Sequence, residues 1–188
     1  MKIVFYNCLF GDDIFPETND KIIYSYLVYK SLVAIDGVFQ NEENSFNFDV
    51  VSDFLDNNAY GAMYGISAFK IAKDLSMSVN TIKSRMPILR RIGLISWDNE
   101  YLYVKYTEDI KKSFYFELLL DTKLKGEKLI VYSYLKNKSK NNNNIISTFD
   151  KIQAKEFGLS KKHYKKILCE LYKAKFIERL PNGRLKIN

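Results

Sequence analysis

Residues 67–95 read SAFKIAKDLSMSVNTIKSRMPILRRIGLI, and their pattern predicts two short helices joined by a turn. Ser78 precedes the second apolar run, where its hydroxyl can cap a helix by accepting a hydrogen bond from a free backbone N–H. In that run Ile82, Met86 and Leu89 recur at spacings of four and three, the period of one helical face. The second helix is therefore expected to bury one stripe and to expose its polar and basic side.

The residues that follow predict a small β-hairpin. Gly93 comes just after Arg90 and Arg91, and a glycine beyond a basic last turn is a common helix stop. Two β-prone runs, residues 95–97 and 101–104, then flank a polar turn. Helix, turn, helix and hairpin in this order are typical of a winged helix.

The chain resembles the winged helix-turn-helix proteins in one recurring string, which here is Met86, Leu89, Gly93, Leu94 and Ile95. The resemblance implies the fold and a recognition helix that contacts base edges in the major groove near its N-terminal end. Protein binding remains an alternative, because paired helices of this kind also occur in proteins that do not bind nucleic acid.

The second half of the chain repeats the first. Lys128–Leu135 answers Lys21–Leu27, and SKKHYKKILCELYKAKFIERL runs in register with SVNTIKSRMPILRRIGLISW, so that Tyr164 matches Ile82. Asn182-Gly183 is a strong hairpin signal near the end of the second copy. The sequence thus predicts a mainly α protein with small β-hairpin wings (α+β), built from two tandem winged helix-turn-helix modules.

The expected modules span residues 1–107 and residues 108–188. In the first, residues 1–9 predict a strand and residues 21–35 a helix capped by Asn19 or Asp20. In the second, the Asn-, Lys- and Ser-rich tract at 137–144 predicts a mobile loop.

Charge is divided unevenly between these modules. The chain carries a net charge of +7, which arises from −3 over residues 1–107 and +10 over residues 108–188. The excess of Lys and Arg makes a polyanion a plausible partner for the second module. The acidic excursion at 36–58 is expected to be solvated, or else to dock the basic half or a basic partner protein.

A second resemblance concerns residues 1–107. The opening strand, the loop with Leu9-Phe10, the helix Lys21–Val33 and the Asp-Gly excursion are similar to the N-terminal winged helix of plasmid and phage replication initiators. Such proteins commonly carry two of these modules in one chain. The resemblance implies binding to origin repeats and recruitment of other proteins, and it carries over no catalytic residues.

The expected DNA contacts lie on the second helix of each pair and on the second hairpin. They are Asn80, Thr81, Lys83, Ser84, Arg85, Arg90, Arg91, Lys161, Lys162, His163, Lys165, Lys166, Asn182 and Arg184. The first helix has the more varied hydrogen-bonding groups and is expected to read bases, whereas the lysine-rich second helix is expected to hold the backbone. A solvated helix face is the alternative for each basic residue.

The sequence therefore predicts a cytoplasmic, sequence-specific double-stranded DNA-binding protein, either a transcription regulator or a plasmid or phage replication initiator. As a monomer it would bind two half-sites in direct order; a homodimer is the other possibility. The alternative is a protein-interaction module, such as a phage-encoded anti-CRISPR or other inhibitor of a host nucleic-acid machine.

The sequence gives no indication of an enzyme, a metal or a cofactor. It has no phosphate-binding loop and no nucleophile motif, and Cys8 and Cys169 are too far apart in the chain to suggest a zinc site. A lone His163 among lysines indicates a surface or phosphate contact better than a catalyst. No run of apolar residues is long enough to predict a membrane span.

Overall fold

A computed structural model describes residues 4–6, 9, 14–33, 54, 55, 57–111, 115–147, 154 and 157–188. Most of the acidic excursion at 36–58 lies outside these ranges. The helices and strands, in chain order, are β1 (Val4–Tyr6), α1 (Thr18–Val33), β2 (Tyr60–Tyr64), α2 (Ala68–Leu75), α3 (Val79–Arg91), β3 (Ile95–Trp97), β4 (Tyr101–Lys105), α4 (Glu108–Lys111), β5 (Tyr115–Glu117), α5 (Gly126–Ser139), β6 (Ile145–Ser147), α6 (Lys161–Lys173), β7 (Ile177–Leu180) and β8 (Arg184–Ile187).

The chain divides into two compact units, and the division differs from the predicted one in two respects: residues 108–113 belong to the first unit, and an N-terminal segment belongs to the second. The first unit is built from Ile14–Ser113, and the second combines Phe114–Asn188 with the N-terminal Lys2–Asp13. Strand β1 belongs to the second unit because it pairs antiparallel with β5, with Phe5 opposite Phe116. The opening strand had been expected in the first module. Pairing between such short strands depends on contacts distant in sequence, which the local pattern does not contain.

Both units contain a three-stranded antiparallel sheet with the same connectivity. In the first unit the order is β2-β4-β3, and in the second it is β6-β8-β7. In each sheet the last strand therefore lies between the other two, and a hairpin joins the last two strands. The fold is thus mixed α and β with small antiparallel sheets, which confirms the α+β class at this level.

The helix pair of the first unit is capped as its sequence predicts. The hydroxyls of Ser67 and Ser78 accept hydrogen bonds from Lys70 N and Thr81 N at 3.2 and 3.0 Å. At the other end Gly93 has φ +77°, and Leu94 N donates to Leu89 O at 3.0 Å, the bond that closes a helix through a left-handed residue. Helix α3 runs without interruption through Pro87.

The second unit repeats these end signals at equivalent positions. The Ser160 hydroxyl accepts from His163 N at 3.2 Å at the start of α6. At its end Lys175 takes the left-handed conformation, with φ +61°, and Phe176 N donates to Leu171 O at 3.0 Å. A lysine therefore stands where the first unit has Gly93.

Helix α1 is buried on nearly every side, as a helix at the centre of a unit must be. The residues from Ile22 to Val28 are all buried, including Tyr24 and Tyr26, as expected for core aromatic residues. The helix begins at Thr18, before the predicted cap, and Asp20 lies inside its first turn. There its carboxylate accepts a hydrogen bond from Glu17 N at 3.0 Å. Asp20 thus caps from the third helical position, as the acidic member of a capping box does.

Gly61 allows α1 and β2 to approach closely. The hydroxyls of Ser31 and Tyr106 lie 2.8 Å apart beside it, and burial raises the pKa of Tyr106 to about 12. A Cβ at Gly61 would lie 2.6 Å from Ser31 Cβ and closer still to the Tyr106 hydroxyl. Only glycine fits here, for reasons of space.

The loop predicted at 137–144 is mostly helical. Helix α5 continues to Ser139, and a 3-10 turn follows over Lys140–Asn142. Ser139 is buried, and its hydroxyl donates to Lys136 O at 3.0 Å, which satisfies it within the helix. Asn143 and Asn144 then reverse the chain with positive φ, a conformation that asparagine tolerates well.

Candidate nucleic-acid interface

The N-terminal half of α6 carries a row of exposed cations. Its first six residues include Lys161, Lys162, Lys165 and Lys166, and all four side chains are exposed. The apolar stripe of the same helix, formed by Tyr164, Ile167, Leu168 and Leu171, is buried. The predicted division of this helix into a buried and a cationic side is therefore confirmed.

His163 lies next to these lysines, but its ring contacts a carboxylate on α5. Its Nε2 atom is 2.6 Å from a carboxylate oxygen of Glu127, at the start of α5. An ion pair between Lys128 and Glu170, at 3.1 Å, joins the same two helices. These contacts fix α6 against α5, and they restrain the His163 ring rather than leaving it free to reach a base.

Between α6 and the β7–β8 hairpin lies a groove of about 400 Å³. Three of its lining side chains are cations, namely Lys165, Arg179 and Arg184, which come from the helix and from both strands. Asn182 and Gly183 form the hairpin turn, both with positive φ, as the Asn-Gly signal predicts. The exposed row on α6 and the cations of this groove form one surface, named here the basic face.

The equivalent helix in the first unit, α3, exposes a more neutral side. Asn80, Lys83 and Ser84 are exposed, whereas Thr81 is half-buried and its hydroxyl lies 2.8 Å from that of Ser78. Asn80, Lys83 and Ser84 thus remain accessible to a partner, and Thr81 helps to cap its own helix.

Arg85 does not point outward as a phosphate contact should. Its side chain is only 17% exposed and forms an ion pair with Glu17, while its second terminal nitrogen lies 3.6 Å from a carboxylate oxygen of Asp20. Asp20 is fully buried, and desolvation raises its pKa although the charge of Arg85 acts against that effect. Arg85 is thus turned toward a buried carboxylate at the start of α1 rather than toward solvent, and its contact with DNA stays a prediction.

Arg90 and Arg91 are both exposed at the end of α3, but they differ in their surroundings. The guanidinium of Arg90 lies over the Trp97 ring, 4.4 Å from its centre. Such stacking is a cation–π interaction, which still leaves the edge of a guanidinium open to solvent. Arg90 is therefore positioned by the hairpin, whereas its contact with DNA stays a prediction.

The first unit has its own groove at the same place, between α3 and the β3–β4 hairpin. It has a volume of about 500 Å³. Its lining residues are Gly65, Ile66, Ala68, Ile71, Lys83, Met86, Pro87, Trp97, Asp98, Asn99, Glu100, Tyr101 and Leu102. We name it the aromatic groove, after Trp97 and Tyr101.

The tip of this hairpin is acidic. Asp98 accepts hydrogen bonds from Tyr101 N at 2.7 Å and Glu100 N at 2.8 Å, and Tyr103 Oη donates to it at 2.9 Å. These bonds lower the pKa of Asp98, the Tyr101 and Glu100 amides first, so it stays ionised near neutral pH. The exposed Glu100 adds a second carboxylate. A phosphate backbone would be repelled at this tip.

The two grooves are lined by equivalent residues. Trp97 faces Leu102 across its hairpin as Arg179 faces Leu185, and Tyr101 correspondingly matches Arg184. Sequence reasoning named neither Arg179 nor the aromatic residues of the first groove. The register of the internal repeat was the signal that could have found them, since it aligns Trp97 with Arg179 directly.

Within the described ranges, no group of His, Cys, Asp and Glu side chains is arranged to hold a metal ion. In the same residues, no helix combines the length and hydrophobicity that crossing a bilayer would need. No family model matches the chain, and no curated protein or solved structure shows significant similarity to it.

Proposed function

We propose that both units are winged-helix modules and that the second binds duplex DNA through its basic face. The order helix, strand, helix-turn-helix and hairpin supports the first part in the first unit. In the second unit Ala154 stands at the position equivalent to Ala72; it is helical, and its carbonyl accepts a hydrogen bond from Leu159 N at 2.9 Å. Ala72 and Met77 make the equivalent bond in the first unit, also at 2.9 Å.

The observation that carries the DNA proposal is the continuity of cations from α6 to the hairpin. Lys165 from α6 and an arginine from each hairpin strand border one groove, and no acidic side chain lines it. In a winged helix this arrangement places the helix in the major groove and the hairpin over an adjacent backbone or minor groove. The basic face would then contact phosphates on both sides.

Lysine side chains on this surface supply charge rather than base recognition. Each phosphate that they neutralise releases condensed counterions, which gives an affinity that falls as salt rises. With His163 held by Glu127, we expect the second unit to bind many sequences with similar affinity. Sequence preference would have to come from the more varied side chains of α3, such as Asn80 and Ser84.

We propose that the protein binds DNA without catalysing a reaction, as the DNA-contacting domain of a transcription regulator or a replication initiator does. The first unit gives weaker support for duplex contact because Asp98 and Glu100 occupy its hairpin tip. We therefore assign affinity for the DNA backbone to the second unit, and any help from α3 is secondary.

Charge reversal on α6 tests this proposal. The double variant Lys162→Glu/Lys166→Glu changes two exposed residues one helical turn apart and should lower affinity for a random-sequence duplex by about tenfold or more at low salt. The matched control is Lys140→Glu/Lys175→Glu, which makes the same change in net charge in the same unit but outside the basic face. Fluorescence anisotropy of a labelled duplex would measure both.

If the two double variants lose affinity equally, binding follows net charge and the proposed face is wrong. If the wild-type chain binds no duplex at low salt, the DNA-binding proposal itself fails. Circular dichroism should show that all variants retain the wild-type helical content, so that lost binding is not lost folding.

A further inference from the structure

The aromatic groove of the first unit and the groove of the basic face in the second unit lie at equivalent positions, between a helix and a hairpin. Their lining residues differ in chemistry. Where the second unit has Arg179 and Arg184, the first has Trp97 and Tyr101. The difference extends along the helix, since Lys162 and Lys166 match Asn80 and Ser84. The groove surface of the second unit thus suits phosphates, whereas the equivalent surface of the first unit is largely aromatic and apolar.

The surroundings of the aromatic groove are also apolar. Tyr64, which is 74% exposed, packs its ring against that of Tyr101 at 5.6 Å. In the described part of the second unit, Tyr172 is the only large hydrophobic side chain exposed to a similar degree. Exposed aromatic residues gathered around a groove are typical of protein-binding sites.

Charge then selects the kind of partner. The rim of the aromatic groove has two carboxylates, Asp98 and Glu100, and one cation, Lys83. Asp98 already accepts three hydrogen bonds within its own hairpin, so Glu100 is the carboxylate that can pair with a partner. The exposed ring of Tyr101 also attracts cations. The rim therefore disfavours nucleic acid and favours a basic side chain.

We propose that the aromatic groove docks a short segment of a partner protein, in which an apolar side chain is followed within a few residues by lysine or arginine. The apolar side chain enters between Met86, Pro87 and Leu102, and the cation lies over Tyr101 next to Glu100. A volume of about 500 Å³ holds a few side chains, enough for one helical turn or a short extended peptide. The protein would thus hold duplex DNA with one unit and a protein with the other.

The experiment begins with a phage-displayed library of random peptides selected on the full-length chain. Trp97 is the only tryptophan and lines the groove, so its emission reports occupancy without a label. We expect selected peptides to share an apolar residue near a Lys or Arg. A synthetic peptide of that consensus should change Trp97 emission in a saturable way.

Two variants then locate the site. Glu100→Lys reverses the exposed rim charge and should weaken the consensus peptide at least tenfold, and Ala68→Phe should do the same by filling the groove. The matched control is Asp109→Lys, a charge reversal at an exposed residue of α4 in the same unit, which should leave affinity unchanged. The second groove variant keeps the test decisive if the first misfolds.

Several outcomes would overturn the proposal. One is a selection that yields no consensus. Another is a consensus peptide that binds both groove variants with the same affinity as the wild type. A duplex or single-stranded oligonucleotide that changes Trp97 emission and competes with the peptide would assign the groove to nucleic acid. A concentration-dependent change in emission without peptide, abolished by Glu100→Lys, would assign it to a second copy of this chain.

Discussion

The guanidinium of Arg90 lies 4.4 Å from the centre of the Trp97 ring, and the second unit contains the same pair with the partners exchanged. There the ring belongs to the helix, as Tyr172, and the guanidinium to the strand, as Arg179, at 5.6 Å. Arg90 matches Tyr172 in the repeat, and Trp97 matches Arg179. Each unit thus joins its second helix to its hairpin by a cation–π contact, but only the second unit places the cation on the hairpin.

A double-mutant cycle should detect the contact in both units. Arg90→Ala and Trp97→Ala should show a coupling free energy of about 0.5 to 1 kcal/mol, as exposed cation–π pairs do. The Tyr172 and Arg179 pair should couple more weakly because its distance is longer. Arg91→Ala combined with Trp97→Ala is the control and should give no coupling; urea denaturation followed by circular dichroism would measure all three. Equal coupling in the control cycle would contradict the assignment.

Removal of Arg85 should destabilise the first unit strongly. Asp20 would remain buried without its countercharge, and breaking a buried ion pair in this way costs on the order of 3 kcal/mol. Urea denaturation followed by Trp97 emission isolates the first unit, since no tryptophan lies in the second. The exposed Arg91→Ala should change the free energy of unfolding by less than about 0.5 kcal/mol. Similar losses for both variants would show that Asp20 does not depend on Arg85.

Gly61→Ala should destabilise the first unit by about 1 to 3 kcal/mol, since an added Cβ would meet Ser31 and Tyr106. Adding Tyr106→Phe to this variant removes the closest oxygen and should partly restore the lost stability, measured as the denaturation midpoint. Ala62→Ser, at the exposed neighbouring position of β2, is the control. A neutral Gly61→Ala variant would mean that α1 and β2 are not packed as described.

The carboxyl of Asp98 should titrate below its ordinary pKa of 3.8. Because the folded pKa is lowered, the stabilising contribution of this group is present above pH 3.8 and is lost as pH falls through the folded value. Carbon-detected NMR of the Asp98 carboxyl would measure the midpoint. Tyr103→Phe removes one of the three donors and should move the midpoint back toward 3.8, whereas a wild-type midpoint at or above 3.8 would refute the hydrogen-bonded tip.

Local signals in the sequence predicted the helix ends and turns well. Ser78, Gly93 and Asn182-Gly183 each act through their own backbone neighbours, so their roles follow from a few adjacent residues. The tract at 137–144 was misjudged because its composition favours loops, although Ser139 completes its hydrogen bonding inside α5. The composition of this tract reflects its exposed residues and does not indicate that Ser139 packs inside the helix.

Long-range pairing was beyond the local pattern. The partners of Arg85, Glu17 and Asp20, lie far earlier in the chain, just before α1 and in its first turn, and nothing near Arg85 in the sequence distinguishes it from Arg90 or Arg91. The cations of the basic face were, by contrast, predictable from the sequence, because four of them lie close together on one helix. For the candidate site, the sequence thus located the helix α6 and Arg184, but not Arg179, the other hairpin arginine that borders the groove.

The salt dependence of duplex binding tests the central claim most directly. For the wild-type chain, log affinity against log salt should be linear with a slope of about −0.9 for each phosphate contacted. Lys162→Ala should reduce the size of that slope by about one phosphate and weaken all sequences alike, whereas Lys140→Ala should leave it unchanged. A slope near zero, or one that Lys162→Ala does not alter, would contradict binding of DNA by the basic face.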